Sequence, residues 1–199
     1  GAECACVCVR DDQQVNEVVL GEAGLSEALA PGALVLVHST VEIATLHQLR
    51  AKLEPHGIAL VDAPVSRTRR TDDEAFVYTM LGGEAGDVER ARKVVGTFST
   101  EVDHVGPLGA GMAAKIANNL VTWIHLIVGS QAVALAAHHG VPYEKLRRIL
   151  AANGNLTYFP CILSAKTIFT GRGMPSTIDP AMSFLCQQLR ADGLAPSQP

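Results

Sequence analysis

Between Gly109 and Asn119 the chain reads Gly-Ala-Gly-Met-Ala-Ala-Lys-Ile-Ala-Asn-Asn, and this segment holds the residue types best suited to proton chemistry. The glycines open a helix and set Lys115 in its first turn. The positive potential of a helix N-terminus disfavours an ammonium group and lowers a lysine's proton affinity. A lysine tuned in this way can exchange a proton with a substrate hydroxyl near neutral pH. Asn119 follows four residues later, so its amide shares a helix face with Lys115 and can orient the same group. Free backbone amides at the helix start would favour a substrate carboxylate. The same glycines match Gly-x-Gly-x-x-Ala, a dinucleotide fingerprint, but that reading is rejected. A true fingerprint follows the first strand of a βαβ unit and needs an acidic residue ending the second strand; a long helix and a helical half follow here.

The elements that must position these residues alternate over the first 106 positions. Residues 4–9 form a short apolar run, the pattern of a strand buried on both faces. Helical stretches follow from Gln13 to Leu20 and from Leu25 to Leu29, then a turn at Pro31-Gly32. Residues 33–37 make a second buried strand, and Ser39 or Thr40 can cap a helix running to about Pro55. Ile58 to Val61 makes a third strand that ends in Asp62-Ala63-Pro64-Val65-Ser66. A polar loop, Arg67 to Glu74, leads to a strand from Phe76 to Leu81, a charged helix ending near Gly96, and a short strand from Glu101 to Val105. Strands alternating with helices imply an α/β sheet. After Gly106-Pro107 the texture turns helical: Met112 to His139 is one long apolar run, Pro142 suits the start of the next helix, and helical pieces continue to about Leu189. The expected organisation is a partial α/β Rossmann-like domain over residues 1–106 and an incomplete all-α domain over residues 107–199, joined by a long interdomain helix.

Composition excludes several functions. The 199 residues carry a net charge of -4, with 48% hydrophobic and 18% charged residues. No dense basic face is available to neutralise phosphates, so nucleic acid is not an expected partner. Leu120 to Ala137 approaches membrane-spanning length but contains Thr122, His125, Ser130 and Gln131, which are costly in lipid; a buried central helix is expected instead, with no membrane partner. Five cysteines, an odd number without a disulfide-like framework, point to a reducing compartment: the cytoplasm, or the mitochondrial matrix in a eukaryote. Cys4, Cys6 and Cys8 read as small hydrophobes of a buried strand, not metal ligands. His125 reads as a core residue and His138-His139 as a favourable charge at a helix end. No spacing suggests zinc. No signal peptide is visible at Gly1-Ala2-Glu3.

Asp62-Ala63-Pro64-Val65-Ser66, then Met80-Leu81-Gly82-Gly83-Glu84, then Gly109 through Asn119, keep an order and spacing that resemble the NAD(P)-dependent β-hydroxyacid dehydrogenase family, of which 3-hydroxyisobutyrate dehydrogenase is the best-known member. His38-Ser39-Thr40-Val41 resembles that family's strand-end Ser-Thr beside the nicotinamide, and Cys8-Val9-Arg10-Asp11-Asp12 resembles a strand end over the cofactor. The resemblance implies an oxidoreductase that moves hydride between NAD or NADP and a small β-hydroxy acid. It implies Lys115 as general acid and base, Asn119 on the reacting oxygen, and Val65, Ser66 and Asn118 at the substrate. Val9, Arg10, Ser39, Thr40 and Gly111 are implied at the cofactor, and homo-oligomers are expected through the helical domain.

The chain departs from the family pattern in three places. The family begins with two βα units and a phosphate-binding Gly-x-Gly-x-x-Gly, so roughly 60 residues are expected to be missing at the start, and part of the helical domain at the end. Arg67 and Thr68 replace the glycines after Ser66, and Thr71 and Ala75 replace others. Near the C-terminus Leu189-Arg190-Ala191-Asp192 stands where the family has a Lys-Asp pair. Two further readings stay open: an inactive remnant acting as a helical oligomerisation module, and a 6-phosphogluconate-type enzyme whose Arg67, Arg69 and Arg70 bind an anion.

Overall fold

The computed structural model describes residues 1–69 and 75–155. Its centre is a run of β-branched and leucine residues too apolar for solvent. Strand β1 (Cys4–Val7), β2 (Leu34–Val37) and β3 (Ala59–Asp62) pair in parallel, with Val35 opposite Leu60 and Cys6 opposite Leu36. All four residues of β2 are buried because helices cover both faces of the sheet. Helices α1 (Asp12–Leu20), α2 (Leu25–Ala28) and α3 (Ile43–Leu53) lie on one face, where Val15, Val19, Leu46 and Leu49 pack on Val35 and Leu60. Helix α4 (Ala85–Val95) covers the other, burying Val88, Ala91 and Val95 against Leu34, Leu36 and Val61. Each fully buried Val or Leu side chain contributes about 1.5–3 kcal/mol by leaving water.

The sheet is mixed. Beyond β3 the chain bends at Ala63-Pro64 and continues as β4 (Val65–Arg69), and both stretches run antiparallel to β5 (Ala75–Gly82). The Met80 amide bridges the bend by donating to the Pro64 carbonyl at 3.1 Å. Strand β6 (Glu101–Gly106) pairs with β5 in parallel. The polar loop expected from Arg67 is therefore corrected: Val65–Arg69 is an edge strand. A basic sequence is compatible with a sheet edge, where charge opposes pairing with other chains. Residues 70–74 and 156–199 lie outside the described residues, and with them Arg70, Thr71, the helical pieces expected to Leu189, and Arg190.

Three other expectations are corrected. Strand β1 is not buried on both faces: it ends the strand order, and Cys6 and Cys8 are exposed. Neither Ser39 nor Thr40 caps α3, which begins after Glu42. Asp12 of α1 does that work from another element, its Oδ1 accepting the Glu42 amide at 2.9 Å and the Thr45 hydroxyl at 2.6 Å. Helix α5 (Ala110–His138) has the expected length but not the expected burial. Leu120, Val121, Ile124, Ile127, Val128 and Leu135 are exposed, and α5 is long and apolar enough to cross a membrane by length and composition.

The chain divides into two compact units, Gly1–Asn119 and Leu120–Pro199, the division falling inside α5. The first turns of α5, with Lys115, therefore belong to the unit built on the sheet. In the second unit, α6 (Tyr143–Ala152) begins after Pro142, whose fixed φ suits that position.

Candidate functional site

Strand β3, in the interior of the sheet, ends at Asp62, a fully buried carboxylate. Its Oδ1 accepts the Gly109 amide at 2.7 Å and its Oδ2 the Met112 amide at 2.6 Å. A strand end thus caps the start of α5 across some 50 positions of sequence. An isolated buried carboxylate would be prohibitive, but here it meets the unpaired amides and positive potential of a helix N-terminus. Burial pushes the Asp62 carboxyl above its ordinary range, while the amides of Gly109, Met112, Asp62 itself and Gly111 pull it back. With both oxygens accepting short N–H bonds, the ionised form is the one this geometry accommodates.

This contact corrects the expectation that the amides opening α5 are free for a substrate carboxylate. Those of Gly109 and Met112 go to Asp62, that of Ala110 to the Pro107 carbonyl, and that of Ala113 to the Gly109 carbonyl. Sequence reasoning missed Asp62 in this role. An acidic residue closing an otherwise apolar strand, with a glycine-opened helix later in the chain, is the signal that could have found it.

Glycines make the junction possible. A Cβ on Gly111 would overlap the Met80 carbonyl oxygen and stand 2.8 Å from Asp62 Oδ2. A Cβ on Gly82 would overlap Asp62 Oδ1 and stand 2.8 Å from the Gly111 nitrogen. Gly111, implied at the cofactor by the resemblance, is thus placed where α5 presses on β5. Gly109 sits at φ +92°, which disfavours any other residue there.

Lys115 lies one helical turn beyond Met112, and Ser66 lies four residues beyond Asp62 on the bent strand. A turn rises about 5 Å, and four extended residues span about 13 Å, so both groups radiate from one fastening point. Lys115 is half-buried, and burial pushes its proton affinity below the ordinary lysine value. The cause differs from the one expected: burial, not the helix end, lowers it. Val65, Ser66 and Asn119 are half-buried and Asn118 is exposed.

The residues implied at a dinucleotide sit at the C-terminal ends of β1 and β2. Ser39 Oγ donates to the Val9 carbonyl at 2.8 Å and accepts the Val9 amide at 2.7 Å, so its hydroxyl ties the two strand ends together. Arg10 and Thr40 are exposed beside this tie. Next to them His38 Nδ1 bonds the Ala63 carbonyl at 2.7 Å and its Nε2 is buried without a partner. Ligands of open α/β sheets bind outside the carboxyl ends of parallel strands, which is where these groups lie. An exposed cation, a hydroxyl and strand-end backbone suit one end of a dinucleotide. The 199 residues hold no strand–turn–helix Gly-x-Gly-x-x-Gly to cradle a pyrophosphate. Among the described residues no group of three His, Cys, Asp or Glu could hold a metal ion.

Comparison with known proteins agrees with this architecture. The family described as the NAD binding domain of 6-phosphogluconate dehydrogenase matches residues 1–106. The NAD-dependent L-serine dehydrogenase of Pseudomonas aeruginosa is 31% identical over 157 residues, covering 78% of this chain and 53% of that protein. The L-threonate dehydrogenase of Escherichia coli O6:H1 is 31% identical over 155 residues, covering 77% of this chain and 51% of that one. The solved structure of 3-hydroxyisobutyrate dehydrogenase from Salmonella typhimurium superposes with a TM-score of 0.74 at 22% identity, over 98% of this chain and 69% of that chain, a likeness of fold. The chain spans about half the length of the curated relatives it matches.

Proposed function

This chain belongs to the family of the NAD binding domain of 6-phosphogluconate dehydrogenase, and from that premise we propose that it contributes the catalytic lysine and part of the cofactor site of a β-hydroxyacid dehydrogenase. The observation that carries the reading is the junction at Asp62, which brings the start of α5, with Lys115, to the strand bearing Val65 and Ser66. The Ser-Thr and Val-Arg strand ends, tied by Ser39, are where a dinucleotide of this family would rest. NAD or NADP, when bound, supplies the hydride acceptor, with Val9, Arg10, Ser39 and Thr40 holding it.

The chain's own residues account for the proton. Lys115 in its amine form takes the proton from the substrate's β-hydroxyl as that carbon is oxidised, and returns it in reduction. Asn119, on the same helix face, orients the reacting oxygen. Ser66 and the neighbouring backbone of Val65, with Asn118, hold the carboxylate. The substrate class follows from these groups: a small hydroxy acid of the kind named for the relatives, serine, threonate or hydroxyisobutyrate. A panel of these acids, followed by the appearance of reduced nicotinamide with NAD and with NADP, tests the reading; no turnover with any of them from the whole protein sinks it.

The pH dependence follows from the lowered proton affinity of Lys115. Oxidation needs the free amine, so its rate rises with pH and levels off below the ordinary lysine value near 10.5. Reduction needs the ammonium and falls over the same window. Profiles of kcat in both directions check this, and coincident profiles would count against a single lysine.

A second reading, a helical self-association module, is favoured by the exposed Leu120, Val121, Ile124, Ile127, Val128 and Leu135 of α5. Monomeric soluble proteins seldom expose so many apolar side chains along one element. Light scattering is expected to report a dimer or larger species, and a monomer at high concentration would remove this reading.

A further inference from the structure

We propose that Asp62 is the positioning residue for Lys115, setting both the place and the proton affinity of its amine through the start of α5. The inference rests on the reading of Lys115 as the proton-transfer group. It goes beyond it by assigning a partner that touches neither substrate nor cofactor.

Three observations converge on Asp62. Its carboxylate is fully buried and spends both oxygens on the Gly109 and Met112 amides, so α5 cannot slide or rotate without breaking two charge-assisted bonds. The glycines around it stand where a Cβ would strike the carboxylate itself: Gly82 against Oδ1 and Gly111 against Oδ2. A cap of purely local use would not need two foreign backbones to close on it. Finally, Lys115 lies one turn away on the same helix. A carboxylate held near a half-buried amine favours the amine's charged form. The Asp62 anion works against burial and returns Lys115 toward its charged form. The proton affinity of Lys115 is thus a balance: burial lowers it, and Asp62 keeps it from falling further. Such a balance lets one group both accept and donate a proton in a reversible reaction.

Other titratable groups surround the junction. His47 of α3 approaches Gly109, where a Cβ would lie 3.8 Å from its Nε2. His104 of β6 bonds the Gly83 and Gly106 carbonyls, at 3.1 and 2.9 Å. His38 of β2 bonds the Ala63 carbonyl next to Asp62. None of these bonds the α5 amides, and a His47→Gln control separates the nearest imidazole from the carboxylate.

The test is the pH dependence of Lys115 acylation by acetic anhydride, read by mass spectrometry on the intact chain. It requires no substrate or cofactor. In Asp62→Asn the anion is lost and the shape kept, and the labelling midpoint is expected to fall by about one pH unit. Circular dichroism shows whether the helix persists. A folded variant with an unchanged or raised midpoint overturns the proposal, because a structural cap alone would leave the lysine's titration where it was. If Asp62→Asn fails to fold, Gly111→Ala answers in its place, because its Cβ would displace the same carboxylate. Its Lys115 labelling midpoint is expected to fall in the same direction, and an unchanged or raised midpoint overturns the proposal. Because labelling needs no catalysis, its outcome is independent of whether Lys115→Ala abolishes turnover, so failure of this inference and failure of the dehydrogenase reading are seen separately.

Discussion

Replacing Lys115 with alanine is expected to lower turnover of the whole protein by about 10²–10⁴-fold while leaving dinucleotide binding unchanged. The split between the two readouts is the informative part. Lys115 sits on α5, and the residues placed at the dinucleotide, Val9, Arg10, Ser39 and Thr40, sit on the ends of β1 and β2. Truncating the amine removes the proton acceptor without touching the Ser39–Val9 tie that shapes those ends. The half-buried lysine is also not needed for the fold: the bonds fastening its helix come from Gly109 and Met112. Steady-state kinetics with each hydroxy acid, set beside fluorescence titration of reduced nicotinamide, measures both quantities. Full turnover in the variant removes Lys115 from the mechanism; lost cofactor binding would place it at the dinucleotide instead.

A single methyl at Gly111 is expected to destabilise the sheet-bearing unit by about 2–4 kcal/mol. Two effects oppose each other. Alanine in a helix is favoured over glycine by about 1 kcal/mol. Against that, the new Cβ would press on the Met80 carbonyl oxygen and on Asp62 Oδ2. Neither neighbour can yield cheaply: one is sheet backbone, and the other is a buried carboxylate whose displacement forfeits charge-assisted bonds worth about 1.5–3 kcal/mol each. Gly86→Ala in α4 is the matched control, since its Cβ would meet nothing within 4 Å. There the propensity term acts alone, and a gain of about 0.5–1 kcal/mol is expected. Denaturant unfolding of both variants decides it. A Gly111→Ala chain as stable as the parent would show that α5 can lift from β5, and the account of the junction would fail.

Much of the scaffold was legible because burial writes itself into residue type. Leu34 to Val37 is apolar at every position, and the structure buries every one of them between two helical layers. The switch to a long helix was visible as an apolar run without proline, and α5 spans Ala110–His138. The hairpin at Val65–Arg69 was not legible, because a basic edge strand and a polar loop share one composition. Likewise Cys4-Ala5-Cys6-Val7 is as apolar as an interior strand, yet β1 stands at the end of the order with Cys6 exposed. The cap of α3 by Asp12 was hidden for another reason: its donors at Glu42 and Thr45 lie some thirty positions downstream.

The sequence by itself determined the alternating α/β half, the long helix and the shorter one after it, the positions of Lys115 and Asn119 on one helix face, and the family those motifs resemble. Periodicity, turn residues and local spacing are properties of neighbours along the chain, so they can be read there. Only the tertiary structure decided what the helix start does with its amides. The strand end that fills them, Asp62, is nearly fifty residues from its partners, and the glycines that admit it lie on β5 and on α5 itself. A buried charge is tolerable only when partners from several elements close on it together. That condition concerns space, and it is why the residue that fastens the candidate site carries no mark in the local pattern.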